Sequence, residues 1–135
     1  MANEGLSVGL VSGWLNTIRG TSAASYTAVT TLYVQLHTSN PGAAGTSNIS
    51  VGTTTRNAIN FNVSTSGSAL SLAAVPSVWT DAATSETINS ISVWSLATAG
   101  TFLFSVVLTT GQPWVATNTF TLNTLTFALT PQAAA

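Results

Sequence analysis

Residues 32–42 read Leu32-Tyr33-Val34-Gln35-Leu36-His37-Thr38-Ser39-Asn40-Pro41-Gly42. Leu32, Val34 and Leu36 alternate with Tyr33, Gln35 and His37, the period of two that sends successive side chains to opposite faces of a β-strand. Local chemistry then stops the strand. Asn40 before proline is biased away from the helical region, Pro41 fixes its own φ, and Gly42 tolerates a positive one. A short strand closed by a turn is the repeating unit of an antiparallel all-β fold, and the rest of the chain follows it.

Downstream, Ile59, Phe61 and Val63 alternate with Asn60, Asn62 and Ser64, Gly67 supplies a turn, and Leu70 and Leu72 return, which together predict a hairpin. Pro76 confines the stretch around Val78 and Trp79 to an edge strand or a loop. A further strand is expected from Thr87 to Ala97, with Ile91 and Val93 opposite Ser92 and Trp94. After Ala99-Gly100, the nearly continuous apolar run from Phe102 to Leu108 predicts a central strand buried on both faces, broken by Gly111-Gln112-Pro113. Phe120 and Leu122 lie on even positions and Leu125, Phe127 and Leu129 on odd ones, so a bulge or tight turn is expected near Asn123-Thr124. Seven or eight short strands with no second helix describe an antiparallel β-sandwich or jelly-roll-like fold.

The first twenty residues differ. Leu6, Leu10, Val11, Trp14, Leu15 and Ile18 recur at helical spacing, with Asn3 placed to cap and Gly20 to terminate. Gly5, Gly9 and Gly13 weaken such a helix, each by up to about 1 kcal/mol against alanine. The organisation expected is an N-terminal helix or docking arm over residues 1–20 and one β domain over 21–135. The arm either docks on a partner or folds over one end of its own sheet.

Composition narrows the function. Of 135 residues only 4% are charged and 45% are hydrophobic, with a net charge of −1 and no cysteine. Two cations cannot neutralise a row of phosphates, so nucleic-acid binding is not expected. No continuous run of about 20 apolar residues suits a membrane helix, and a membrane partner is not expected. Twenty-four threonines and 17 serines take the surface role usually filled by lysine and glutamate. A surface near neutrality favours association, which points to a chain covered by other subunits.

Catalytic chemistry has few residues to draw on. The carboxylates are Glu4, Asp81 and Glu86; Asp81 and Glu86 flank a loop, where solvated turn carboxylates are the ordinary case. A catalytic pair would need environments that drive its two pKa values apart. His37 is the single histidine, and no G-x-S-x-G elbow accompanies it. One histidine, no cysteine and scattered carboxylates cannot close a zinc site, and no cofactor motif is present. An enzyme is not expected. Trp14, Trp79, Trp94 and Trp114 could stack sugars if exposed in a row, although core or interface burial is the commoner use of such rings.

The segment Leu36-His37-Thr38-Ser39-Asn40-Pro41-Gly42-Ala43-Ala44-Gly45-Thr46 resembles the L-H-T-x-x-P-G-A-A-G-T pattern of small structural proteins of tailed bacteriophages, notably those of actinobacterial hosts. The likeness continues through Thr53-Thr54-Thr55-Arg56, Glu86-Thr87-Ile88, Val93-Trp94-Ser95, Gly100-Thr101-Phe102 and Leu125–Pro131. The commoner form carries Asp where this chain has Asn40. The resemblance implies a virion component, either a capsid decoration protein or a tail-fibre or minor tail protein. With neither heptads nor a repeating shaft visible, the expectation is a cement protein on the capsid exterior. It would bind the major capsid protein and self-associate as a trimer or another symmetric cluster. Leu6, Leu10, Trp14 and Ile18 would form its docking or oligomerisation segment, and His37, Asn40, Pro41 and Gly42 would fix the adjoining turn. The alternative is a tail-fibre module that binds host surface glycans through exposed tryptophans.

Overall fold

A computed structural model gives the fold and describes residues 4–19, 29–62, 69–73, 77–80 and 84–128. Among the described residues one helix, α1 (Val8–Ile18), precedes eight strands: β1 (Leu32–His37), β2 (Asn57–Ile59), β3 (Ala69–Ser71), β4 (Ser77–Trp79), β5 (Glu86–Trp94), β6 (Phe102–Trp114), β7 (Phe120–Leu122) and β8 (Thr126–Ala128). The main sheet has the order β2-β1-β5-β6, and β3-β8 and β4-β7 form two smaller sheets. Every pairing is antiparallel. The fold is all-β and sandwich-like, as the alternation predicts.

Register explains the core. Val34 faces Val93 and Leu36 faces Ile91, while Phe104 and Val106 continue the same rows on β6. These side chains share a core with Trp79, Trp114, Phe120, Leu122 and Leu125 from the small sheets and the strand ends. Trp79 and Trp114 both meet Phe120, at ring-centroid distances of 6.0 and 5.8 Å. Burying each large side chain of this kind contributes about 1.5–3 kcal/mol.

The opposite face of the sheet is also buried, yet it is polar. His37 pairs with Ser90 and Gln35 with Ser92, and Ser92 pairs with Ser105; all five are buried. The loop that runs from Thr38 to Arg56 is tied back to this face. Ser50 donates its N–H to Leu36 O, and Thr38 donates to Asn48 O. A carboxylate from β5 holds the loop from outside: Glu86 accepts from the Ser50 hydroxyl and from the N–H groups of Val51 and Gly52. Glu86 therefore begins a strand and acts as a structural acceptor, where the sequence reading placed it beside a loop as a solvated turn carboxylate.

Three other expectations change. The central strand is β5, and β6 lies at the end of the sheet order; its apolar run is buried only over Leu103–Ser105 and alternates afterwards. Gly111-Gln112-Pro113 does not break β6, which continues to Trp114. A register shift between Ile88 and Ser90 lets Asn89 cross close to Gly111, where a Cβ would strike the Asn89 amide. The parity slip at residues 123–125 is a change of partner: β7 pairs with β4 and β8 with β3. The expected hairpin is present as Asn62 N–H to Ser71 O and Ala73 N–H to Asn60 O, but its turn at Gly67 and the stop at Pro76 lie outside the described residues.

Helix α1 starts later than predicted. Its cap is Ser7, whose side chain accepts from Leu10 N–H at 3.2 Å; Asn3 and Gly20 lie outside the described residues. Gly5 to Ser7 run along β6, with Ser7 N–H on Leu103 O at 2.7 Å and Ser105 N–H on Gly5 O at 2.9 Å. The helix thus folds over its own sheet, with Leu10 and Gly13 buried.

Glycine substitutions separate these environments. An added Cβ at Gly45, where φ is +72°, would lie 2.5 Å from the Phe102 ring, so Gly45→Ala is expected to destabilise by about 1–3 kcal/mol in chemical denaturation. At Gly9 a Cβ meets nothing within 4 Å, and Gly9→Ala is expected to stabilise by up to about 1 kcal/mol.

Candidate functional site

His37 is the buried hinge of the polar face. Its Nδ1 lies 2.8 Å from Ser47 O, which can only accept, so Nδ1 carries the proton. Nε2 then accepts from the Ser92 hydroxyl at 2.7 Å, and Ser92 Oγ accepts the Trp94 indole N–H, also at 2.7 Å. Every group is satisfied with the imidazole neutral. Burial is the largest influence on its pKa and lowers it; the nearby Arg56 charge adds to that, against opposing hydrogen bonds to Ser47 and Asn48.

The turn beyond it is built as the residue types suggest. Asn40 Oδ1 accepts from Gly42 N–H at 2.7 Å, Ser47 N–H reaches Pro41 O, and Asn48 Nδ2 reaches Asn40 O. Gly42 has φ +76°, and Pro41 is fully buried. His37, Asn40, Pro41 and Gly42 thus form one hydrogen-bonded unit around the start of the loop.

Arg56 closes the far end of the same face. Its guanidinium carbon lies 3.6 Å from the Trp94 ring centroid, a stacked cation–π geometry. Nε donates to Gln35 Oε1, and Nη1 donates to Leu96 O and Ala99 O. Burial pulls its pKa below the usual guanidinium value, and the group remains cationic in water. Around it Gln35, Thr54, Thr55, Ala97, Thr98 and Ala99 line an open cavity of about 380 Å³. Sequence reading missed this site, because residues 35, 54–56 and 97–99 come together only through the pairing of β1 with both β2 and β5.

The residues proposed for docking separate into two groups. Leu10 is buried in the core and Trp14 packs on it, its ring 6.3 Å from Phe127 of β8, so neither is left free on the outer side of the helix. Leu6 bridges to Phe104 and is half exposed. Ile18 is free of the core at 84% exposure, with Val8 at 82% and Leu15 at 61%. Val8, Val11, Leu15 and Ile18 follow one another at spacings of three, four and three, which sets them on one face of the helix. The glycan-stacking row of tryptophans is not built: Trp79, Trp94 and Trp114 are buried and Trp14 is half-buried.

The described residues form a sandwich-like β module whose helix turns Val8, Leu15 and Ile18 outward. A family model described as podophage GP4 fiber I protein gp80 matches residues 5–130. The chain belongs to this family. It is a structural protein of a phage virion, which agrees with the phage part of the sequence resemblance. The matched range takes in α1, the eight described strands and the residues that line the Arg56 cavity. A comparison with curated proteins finds no match.

The neutral histidine gives a signed pH dependence. Its native pKa is lowered from 6.5, so the unfolded chain binds the proton first. The stability that the neutral ring contributes is complete above about pH 6.5 and is lost as pH falls towards the lowered native value. His37→Phe should remove this loss below pH 6.5 in denaturant titrations. It should also cost about 1–3 kcal/mol at pH 7.5, because Ser92 and Ser47 lose their partner.

Proposed function

We propose that the chain is a non-enzymatic building block of a phage fibre, present as several copies that meet through the outward face of α1. The family match over residues 5–130 carries the reading. The capsid-cement role on the head exterior, with the major capsid protein as partner, draws on composition and on resemblance to proteins of actinobacterial phages. The family description favours the fibre instead, and it names a podophage.

Self-association is supported by the seam. Val8, Leu15 and Ile18 leave three aliphatic side chains in water on a helix that carries no charged residue from Val8 to Ile18. A second copy of the same helix can cover them without bringing like charges together, and a symmetric cluster repeats that contact at each interface. The N-terminal segment keeps its assembly role with the docking side chains reassigned from Leu10 and Trp14 to Val8, Val11 and Leu15, alongside Ile18.

Two measurements test this. Gold-labelled antibody against the chain should mark fibres in electron micrographs of purified virions, and label spread evenly over the head would overturn the fibre role. The double variant Leu15→Asp, Ile18→Asp should shift the purified protein to monomer in light scattering while keeping the circular-dichroism spectrum of the folded domain, since both side chains lie outside the core. Unchanged oligomers would remove α1 as the seam.

A further inference from the structure

The Arg56 cavity has features that a purely structural arginine would not need. Three of the five guanidinium N–H groups are committed, one from Nε to Gln35 and two from Nη1 to the carbonyls of Leu96 and Ala99. The two on Nη2 meet no acceptor among the described residues, and no carboxylate among them pairs with the charge. The guanidinium cannot easily turn away, because Trp94 lies beneath it and Trp94 is itself held by Ser92.

The cavity wall is equally fixed. Ala99 sits at φ +55° and Gly100 at φ +76°, and a non-glycine residue in that region is uncommon. Ser95 N–H on Thr101 O, Thr101 N–H on Ser95 Oγ and Arg56 on Ala99 O together hold the turn. Thr54, Thr55 and Thr98 add hydroxyls around the rim, and all three are exposed. The volume of about 380 Å³ lies at the small end of the range for small-molecule sites.

We propose that this cavity binds a single acidic sugar residue, a saccharide bearing a carboxylate. Arg56 Nη2 donates to the carboxylate, and the threonine hydroxyls meet the ring hydroxyls. The charge-assisted bond supplies the selectivity for acidic over neutral sugars. The inference rests on the fibre reading, since a fibre is the part of a virion placed to meet a host surface. Glycan recognition thereby passes from the tryptophans, which the fold buries, to an arginine that one of them supports.

The test uses the full chain in saturation-transfer NMR and calorimetry, with glucuronate as the probe and glucose and acetate as controls. Glucuronate should bind saturably, with glucose and acetate each at least about tenfold weaker. Arg56→Gln should abolish binding. Because Arg56 also braces the turn, Thr98→Val serves as a second variant, expected to weaken glucuronate severalfold with an unchanged melting temperature. No saturable glucuronate binding by the folded wild type overturns the proposal, as does equal binding of acetate or glucose, or full binding by folded Arg56→Gln. A chain found on the fibre but blind to glucuronate defeats the cavity alone. Glucuronate binding by a chain found on the head supports the cavity while defeating the fibre reading.

Discussion

A sheet buried on both faces must satisfy the polar groups of whichever face is not apolar, because a buried donor or acceptor left unmade costs about 1–3 kcal/mol. In this chain that requirement falls on Gln35, His37, Ser90, Ser92 and Ser105, all buried on the side of the main sheet away from the aliphatic rows. Neutral His37 between Ser47 O and Ser92 Oγ meets it at the centre, and Trp94 and Arg56 carry the chain of contacts to the surface. Glu4 approaches the same face from the N-terminal side, accepting from the Ser90 hydroxyl with one oxygen while the other is buried without a partner among the described residues. The loop from Thr38 to Arg56 and the Ala99 turn are both positioned by these bonds.

The two faces divide the labour. The apolar side holds the small sheets and receives α1 through Leu10 and Trp14, which leaves Val8, Leu15 and Ile18 on the outward side of the helix. The polar side fixes a loop platform whose rim carries the Arg56 cavity. A chain with only 4% charged residues can be brought together in many copies without mutual repulsion, so its few charges stand out. Glu4 and Glu86 act as acceptors for hydroxyl or backbone groups, and Arg56 stacks on buried Trp94 while lining a cavity.

Much of the fold was legible because period two is a direct consequence of strand geometry. Leu32 to His37 and Ile91 to Trp94 read as strands and are strands. The ranking of strands was not legible. The run Phe102 to Leu108 looks more apolar than β5, yet β5 lies inside the sheet because its serines are buried by hydrogen bonding, which no hydropathy pattern records. Gly111 and Pro113 read as breakers, and the close passage of Asn89 past Gly111 is a tertiary fact. In α1 the helical spacing was visible, but which stripe faces the sheet depends on where Gly5 to Ser7 attach to β6. The Arg56 cavity joins three separate segments, so only pairing could reveal it.

The central claim is that this domain serves a fibre and not the capsid lattice. Quantitative mass spectrometry of purified virions, giving copies of this chain per copy of the major capsid protein, tests it most directly. The fibre account predicts a small number of copies per particle, in a ratio far below that of the lattice protein. Hundreds of copies in simple proportion to the capsid protein would contradict it and return the chain to the surface of the head.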